Sequence, residues 1–349
     1  MEENKECCPS CFDDRGLNTQ VIPTFSKHVG TCSYCASEEV DLVAPDALRD
    51  HFETLLSIYV EDDNGATFAE CLKNDWHLFT HPRMDVANAS ILLVDILDEP
   101  EIIRRRFSPK NPSSPNGLDL WASFKEELMN VNRFFPKKKM DEALLGKLLS
   151  HFVIDPCEES EEWYRARIQE TCSPYPPEQM GAPPKNLASQ GRANPAGIPY
   201  LYLASEKSTA VSEIRPHTGQ LASIASFHLR EKLQVVDLRN PRKTASPFLI
   251  SNPTEIAKLR SEIGFLTKLG AELSKPVQSH NAAIDYLPTQ YLCEFIKTQT
   301  YEGVLYNSSV GNGVNLALFD TQSAQPINVS SQAVSKVSVE LGAVEDIAS

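Results

Sequence analysis

The stretch GRANPAGIPYLYLASEKSTAVSEIRP, residues 191–216, decides the fold of the C-terminal half of the chain. It opens with glycines and prolines, which predict an irregular loop. The apolar run PYLYLA (199–204) then predicts a strand, and STAVSEI (208–214) predicts a helix capped by Ser208 or Thr209. Loop, strand and helix therefore follow one another in a short segment, as they do in an α+β domain.

Three side chains of this stretch suit the recognition of a nucleotide. The guanidinium of Arg192 is a bidentate donor for phosphate oxygens. Strand alternation places Tyr202 on one face with Tyr200 and Ala204, where its ring offers a plane for stacking a base or a nicotinamide ring. Glu213, expected one turn into the helix, suits the stabilisation of a ribose cation. Taken singly, each residue also fits a structural role, as a surface ion pair, a core aromatic or a helix-dipole carboxylate.

The sequence after residue 160 continues to alternate short strands with helices. Further strands are predicted at WYRAR (163–167), LASIASFHL (221–229), LQVVDL (233–238), YEGVLYNSS (301–309) and VNLALFD (314–320). Helical periodicity recurs at residues 252–274 and 288–299. The C-terminal half is therefore predicted to be an α+β domain.

The N-terminal half has a different character. Residues 1–160 carry 16 Lys and Arg against 29 Asp and Glu, whereas residues 161–349 carry 17 against 18. After residue 37 the pattern is mostly helical, with segments predicted at DALRDHFETLLSIYV (46–60, behind an Asp46 cap), TFAECLKNDW (67–76), LWASFKEELMNVNRFF (120–135) and MDEALLGKLLSHF (140–152). We therefore expect two or more domains in the 349 residues.

Four cysteines form two CxxC pairs near the N-terminus, Cys8 with Cys11 and Cys32 with Cys35. This spacing is typical of a zinc ribbon, in which four thiolates close a tetrahedral site and leave no position for a substrate. The sequence therefore predicts a structural Zn(II) within residues 1–37, together with strand-like pieces at residues 20–22. Two alternatives remain: Cys7 replaces Cys8 in a shifted register, or these cysteines are free thiols.

Composition limits the classes of partner. The formal net charge of −14 argues against sequence-independent nucleic-acid binding, which rests on an excess of Lys and Arg. No run of 18 apolar residues predicts a membrane span. The opening residues MEENKECCPS lack the pattern of a secretory signal, so we expect a cytoplasmic location.

The order of the C-terminal motifs, over residues 160–322, resembles that of the RES family, which is named for its arginine, glutamate and serine. The motifs are YRAR, GRANPAGIPYLYLA, TAVSE, PTQYLCEF and YEGVLYNSSVGNGVNLALF. The resemblance implies catalytic residues Arg165, Glu213 and Ser308, with Arg192 and Tyr202 as further ligand-binding residues. Backbone N–H groups of SVGNGVN (309–315) are also expected near the ligand.

The resemblance further implies a fold similar to that of ADP-ribosyltransferase toxins and consumption of NAD+ at its nicotinamide-ribose bond. Family members include NAD+ phosphorylases and ADP-ribosyltransferases, and many are toxins paired with an antitoxin. We therefore expect an NAD+ glycohydrolase-type toxin or phage-defence effector in residues 158–349. The alternatives are an ADP-ribosyltransferase and an inactive nucleotide-binding or interaction module. Residues 38–157 resemble a HEPN-like regulatory domain, and homo-oligomerisation stays open.

Overall fold

The computed structural model of the chain describes residues 5–110, 117–276 and 281–338. These residues form two compact units. The N-terminal unit holds the described residues of Met1–Glu127, Pro136–Phe152 and Asn240–Lys268, and the sheet unit holds those of Leu128–Phe135, Val153–Arg239 and Leu269–Ser349. Each unit is therefore assembled from segments that are far apart in the sequence.

The strands of the described residues are given in chain order. They are His28–Gly30 (β1), Val40–Leu42 (β2), Tyr59–Thr67 (β3), Arg106–Pro109 (β4), Val153–Ile154 (β5), Trp163–Ile168 (β6), Leu201–Ala204 (β7), Leu221–Leu229 (β8), Val235–Asp237 (β9), Gly303–Asn307 (β10), Val314–Leu318 (β11) and Ala324–Ala333 (β12).

The α-helices of the described residues are numbered in the same way. They are Pro9–Phe12 (α1), Ile22–Phe25 (α2), Arg49–Leu56 (α3), Phe68–Trp76 (α4), Val86–Leu97 (α5), Gly117–Asn130 (α6), Glu142–Leu149 (α7), Lys207–Glu213 (α8), Pro241–Thr244 (α9), Pro253–Ser274 (α10), Ala282–Asp285 (α11) and Leu287–Thr298 (α12). None of these helices combines the length and the apolar character needed to cross a bilayer.

Eight strands of the sheet unit form one mixed sheet in the order β12-β8-β6-β7-β11-β10-β9-β5. Its neighbouring strands run antiparallel except β9 and β10, which run parallel. Strand β8 is buried on both faces from Ala222 to Phe227, which explains its nearly continuous apolar sequence. Strands β6 and β7 share the single pair Tyr164–Ala204, so the two strands separate directly beside this pair.

The two faces of the sheet carry different side chains. One face holds the large apolar core, which includes Trp163, Leu203 and Phe227. The other face holds a smaller cluster of mainly alanine side chains, to which Ala204 and Ala210 belong. Because alanine side chains are short, α8 can lie close against the sheet.

The N-terminal unit is held by an aromatic core and by a segment from the C-terminal half. The Phe52 ring lies 5.6 Å from Phe12 and 5.0 Å from Phe248, measured between ring centroids. The Oγ of Ser246 donates a 2.7 Å hydrogen bond to the carboxylate of Asp14. Residues 240–268 therefore belong structurally with the N-terminal segments.

The structure confirms the predicted α+β class, with a large mixed sheet and four clustered cysteines near the N-terminus. The predicted helix at TFAECLKNDW is also correct. Thr67 and Glu70 form a capping box at its start, in which each side chain bonds the backbone N–H of the other residue.

Two local predictions are wrong. Residues 20–22 are helical, in a π-helical turn Leu17–Val21 followed by α2. DALRDHFETLLSIYV is divided between a 3₁₀ turn, α3 and the start of β3, and Asp46 does not cap α3. Tyr59 leaves the helical pattern because it pairs with Pro109 of β4, a partner that local periodicity does not reveal.

Candidate active site

A cavity of about 490 Å³ lies in the sheet unit beside α8. One row of its lining residues crosses four strands, with each residue opposite the next: Tyr164, Ala204, Asn315 and Tyr306. Ligand pockets commonly measure about 300–1,000 Å³. The cavity therefore has the size of a small-molecule site.

Glu213 is held at this cavity by two hydrogen bonds to the same carboxylate oxygen. Its Oε1 accepts from Ser308 Oγ at 2.8 Å and from Asn315 Nδ2 at 2.6 Å. Within the described residues, the second oxygen, Oε2, carries no hydrogen bond. The carboxylate is thus oriented through one oxygen and leaves the other for a ligand.

Ser308 serves as the bridge between Glu213 and the turn after β10. Its hydroxyl donates to Glu213 and accepts from the backbone N–H groups of Val310 at 3.2 Å and Gly311 at 3.1 Å. Within the described residues, no basic side chain bonds this hydroxyl. The geometry favours a positioning role for Ser308 over a nucleophilic one.

The predicted cap of α8 is wrong. The helix begins at Lys207 and has no side-chain hydrogen bond at its N-cap. Glu213 is the last residue of the helix, whereas the sequence predicted it one turn after the start. Thr209 is fully buried and accepts from Gly313 N at 3.0 Å through its hydroxyl. A Cβ at Gly311 or Gly313 would lie 2.7 Å from that hydroxyl oxygen, so these glycines permit the close approach.

This packing also corrects the expectation for the SVGNGVN loop. Its N–H groups at Val310, Gly311, Gly313 and Val314 already bond the side chains of Ser308, Thr209 and Ser205. These four N–H groups therefore stabilise the loop and are not free to bind a ligand.

Arg192 lines the cavity, but its guanidinium is heavily engaged. Nη1 donates to the backbone carbonyls of Leu273, at 3.2 Å, and Lys275, and Nη2 donates to Ser309 Oγ at 2.9 Å. Cationic side chains near a helix C-terminus satisfy the last carbonyls in this way. Arg192 therefore joins its loop to the end of α10 and the turn after β10.

Tyr202 also lines the cavity and has a fixed hydroxyl. It donates to Asn194 Oδ1 at 2.6 Å and accepts from Ala193 N at 3.2 Å. Burial raises the pKa of this phenol, so it stays a neutral donor. The ring is thereby oriented, as a stacking surface requires.

The motif PTQYLCEF supports the same loop from α12. Thr289 donates to the carbonyl of Arg192 at 2.6 Å, and Gln290 Nε2 donates to the carbonyls of Gly191 at 2.9 Å and Asn194 at 3.1 Å. Both side chains are buried. These hydrogen bonds tie α12 to the loop of residues 191–194, although the two segments are distant in the sequence.

Arg165 lies where β6 and β7 stop pairing. Its Nη1 donates to the Tyr202 carbonyl at 3.2 Å, while its buried Nε has no hydrogen-bond partner among the described residues. Burial, with a smaller contribution from the charge of Arg167, lowers the pKa of Arg165 to about 10. A partly buried guanidinium that bonds no carboxylate of the described residues is costly, so the site is suited to an anionic ligand.

The structure thus brings Arg165, Arg192, Tyr202 and Glu213 to one cavity, with Ser308 bonded to Glu213. Sequence reasoning missed further lining residues, namely Asn315, Tyr306, Tyr286 and Arg215. Strand register places Asn315 at the cavity, since it lies opposite Tyr306 and Ala204. In the sequence, the signal that could have identified it is a polar residue within the otherwise apolar strand VNLALF.

The four predicted metal ligands come together in the N-terminal unit. The sulfurs of Cys8, Cys11, Cys32 and Cys35 all lie within 4.8 Å of one another, and all four residues are buried. Tetrahedral Zn–S bonds of about 2.3 Å place sulfurs about 3.8 Å apart. The donor set and its spacing therefore fit zinc. The Cys7 thiol instead donates to the Val43 carbonyl at 3.5 Å.

The similarity of this chain to known proteins extends over about half of its length. No curated protein matches it. One matching solved structure is described as "Crystal structure of the M.tuberculosis MbcT-MbcA toxin-antitoxin complex", with 14% sequence identity, a TM-score of 0.32, and coverage of 55% of this chain and 93% of that chain. A family model described as the RES domain matches residues 162–339, slightly more than half of the chain. On that match, the chain belongs to the RES domain family.

Proposed function

We propose that the protein is an NAD+ glycohydrolase that cleaves the bond between nicotinamide and ribose. The observation that carries the proposal is the Glu213 carboxylate, held through Oε1 by Ser308 and Asn315 at the same cavity as Arg165. The RES family membership supports the choice of NAD+ as substrate.

In this proposal, the cavity residues divide the work of binding and catalysis. The ring of Tyr202 stacks on a ring of the substrate, and Arg165 binds its anionic diphosphate. Arg192 acts as a positioning residue, because its guanidinium is already bonded to the protein.

The bond between ribose C1′ and nicotinamide N1 breaks, and its electron pair leaves with nicotinamide, which departs as a neutral molecule. The cation that develops on the ribose is stabilised by the Glu213 carboxylate. Water adds to C1′, and its proton passes to Oε2 of Glu213 and then to solvent. Because the leaving group is neutral, the proposed reaction needs no strong general acid.

The biological part of the proposal is a toxin or defence effector that depletes NAD+ and is neutralised by an antitoxin. Residues 1–37 would hold a structural zinc ion, and residues 38–157 would regulate the NAD+-consuming residues 158–349. A regulatory role predicts that substitutions confined to residues 38–157 change nicotinamide release without changing zinc content or thermal stability. Unchanged release across such a series would contradict it.

The decisive assay is nicotinamide release from NAD+ by the purified full chain and by Arg165→Ala and Glu213→Gln. We expect both variants to lose at least about a hundredfold in kcat/KM, because each removes a charge aimed at the substrate. Glu170→Gln, an exposed carboxylate outside the cavity, should retain full activity. Separation of free ADP-ribose from ADP-ribose phosphate and protein adducts identifies the acceptor. Wild-type rates that survive Glu213→Gln would contradict the mechanism.

A further inference from the structure

Arg215 is a cation of the cavity that the motifs of the sequence do not assign. It lines the cavity two residues after Glu213. Within the described part of the chain, no hydrogen bond or ion pair engages its guanidinium, and its side chain is exposed. Arg192, in contrast, is bonded to two carbonyls and a hydroxyl. Arg215 is therefore available to a ligand in a way that Arg192 is not.

The backbone of Arg215 adopts an uncommon conformation at the end of α8. The residue follows the end of α8 with a φ of 48°, a left-handed conformation that favours glycine at helix C-termini. Its N–H bonds the carbonyl of Ser212 at 3.0 Å, which fixes the turn. The turn at the end of α8 therefore holds the Glu213 carboxylate and the Arg215 guanidinium in one short segment.

Arg215 also stands at the boundary of two cavities. The second cavity, of about 780 Å³, is lined by Arg215, Lys207 and Lys336 among other residues. A pyridine dinucleotide consists of two nucleoside halves joined by a diphosphate. If the nicotinamide ribose lies at Glu213, Arg215 is a cation of the same cavity two residues along the chain, and a guanidinium can bind two oxygens of a diphosphate at once.

We propose that Arg215 binds the diphosphate of the dinucleotide together with Arg165, and that this contact selects dinucleotides over nucleosides that lack phosphate. The inference rests on the proposed function and extends it to substrate selection. Arg165 supplies a partly buried cation whose buried Nε has no hydrogen-bond partner among the described residues, and Arg215 supplies an exposed one. The adenosine half then extends toward the second cavity.

The test compares the full-length wild type with Arg215→Gln, Arg215→Lys and the control Arg133→Gln, an exposed arginine that lines neither cavity. For Arg215→Gln we expect KM for NAD+ to rise about ten- to a hundredfold with kcat nearly unchanged, as for loss of a charged hydrogen bond that binds substrate and transition state alike. Arg215→Lys should recover part of the loss, and kcat/KM for nicotinamide riboside, which has no phosphate, should not change.

Calorimetric binding of ADP-ribose separates this inference from the proposed function. Wild-type binding that weakens about tenfold or more in Arg215→Gln, and not in Arg133→Gln, supports the diphosphate contact even if no nicotinamide is released. Equal affinity of the wild type and Arg215→Gln overturns it even if NAD+ turnover is fast. A proportional loss of activity on NAD+ and nicotinamide riboside also overturns it, because that result indicates a structural role.

Discussion

At the scale of single residues, the site is organised by the partners of Glu213. Two neutral donors, Ser308 Oγ and Asn315 Nδ2, hold one carboxylate oxygen. Neutral donors orient a carboxylate without cancelling its charge, and the proposed reaction uses that charge to stabilise a ribose cation. Ser308 itself bonds Glu213 and two backbone N–H groups through its hydroxyl. These partners suit a residue that positions the carboxylate better than a nucleophile, which needs an adjacent base.

Replacing Ser308 by alanine tests this distinction. Because Asn315 still holds Glu213, we expect Ser308→Ala to lower kcat for nicotinamide release by about tenfold, the value of one lost hydrogen bond. Ser330→Ala, a hydroxyl on β12 that bonds a strand carbonyl, should have no effect. A loss of 10⁴-fold or more, or a covalent ADP-ribosyl adduct on Ser308, would establish a nucleophile instead.

A second residue-scale prediction concerns Asp14, which is buried against Leu17 N and Ser246 Oγ. Burial raises the pKa of Asp14 to about 6, whereas an unfolded aspartate titrates at about 3.9. Between these values the folded state binds a proton that the unfolded state does not. The contribution of Asp14 to the free energy of unfolding therefore increases as pH falls from about 6 to about 4.

Denaturant unfolding at pH 7 and pH 5 measures this effect. The wild type should gain about 1 kcal/mol relative to Asp14→Asn between these two pH values, as the linkage of the two pKa values requires. Asp119→Asn, at an exposed position, is the control and should show no such difference. A wild-type curve parallel to that of Asp14→Asn would contradict the raised pKa.

At the scale of elements, the turn after β10 is shaped by what lies under it. Gly311 passes against Thr209 of α8, and the same turn presents Ser308 to Glu213. The helix and the turn must therefore keep one spacing for the carboxylate to be oriented.

Gly311→Ala should disturb that spacing. Its new Cβ would lie 2.7 Å from Thr209 Oγ1 and 3.1 Å from Thr209 Cα. We expect a loss of about 1–3 kcal/mol in the free energy of unfolding together with reduced nicotinamide release. Gly181→Ala is the matched control, since a Cβ there meets no atom of the described residues within 4 Å. Wild-type stability and activity in Gly311→Ala would show that the turn tolerates displacement.

At the scale of the whole molecule, the compact units do not follow the order of the chain. Residues 240–268 lie between strands of the sheet unit in sequence, but they belong to the N-terminal unit. Phe248 packs on Phe52, and Ser246 bonds Asp14. Cutting the chain after residue 157 therefore removes partners from a segment that remains.

A chain of residues 158–349 tests this consequence. We expect it to unfold at a lower temperature than the full chain and to associate, because Phe248 and its neighbours lose buried apolar contacts. Circular dichroism melting and size-exclusion chromatography measure both effects. A monomer with the melting temperature of the full chain would show that residues 240–268 do not depend on the N-terminal segments.

The cysteine cluster supplies the last prediction. Metal analysis should find one zinc ion per chain, and Cys11→Ser should lose that ion and lower the melting temperature by several degrees, because ligand binding stabilises the folded state. Cys157→Ser, at an exposed cysteine, should retain both. Zinc retained by Cys11→Ser at wild-type stability would contradict a four-cysteine site.

The sequence by itself predicted the strands around YRAR, PYLYLA and VNLALF and the two CxxC pairs, because these depend on local periodicity and spacing. Arg165, Tyr202 and Glu213 were proposed as site residues through the resemblance of their motifs to the RES family, and their roles stay predictions. Only the tertiary structure decided that Arg192 bonds the end of α10 and that Asn315 bonds Glu213. The same holds for the position of Arg215 at the cavity and for the assignment of residues 240–268 to the N-terminal unit. These features depend on strand register and on contacts between residues distant in the chain. A pattern read along the chain contains no information on which distant group will satisfy a given donor.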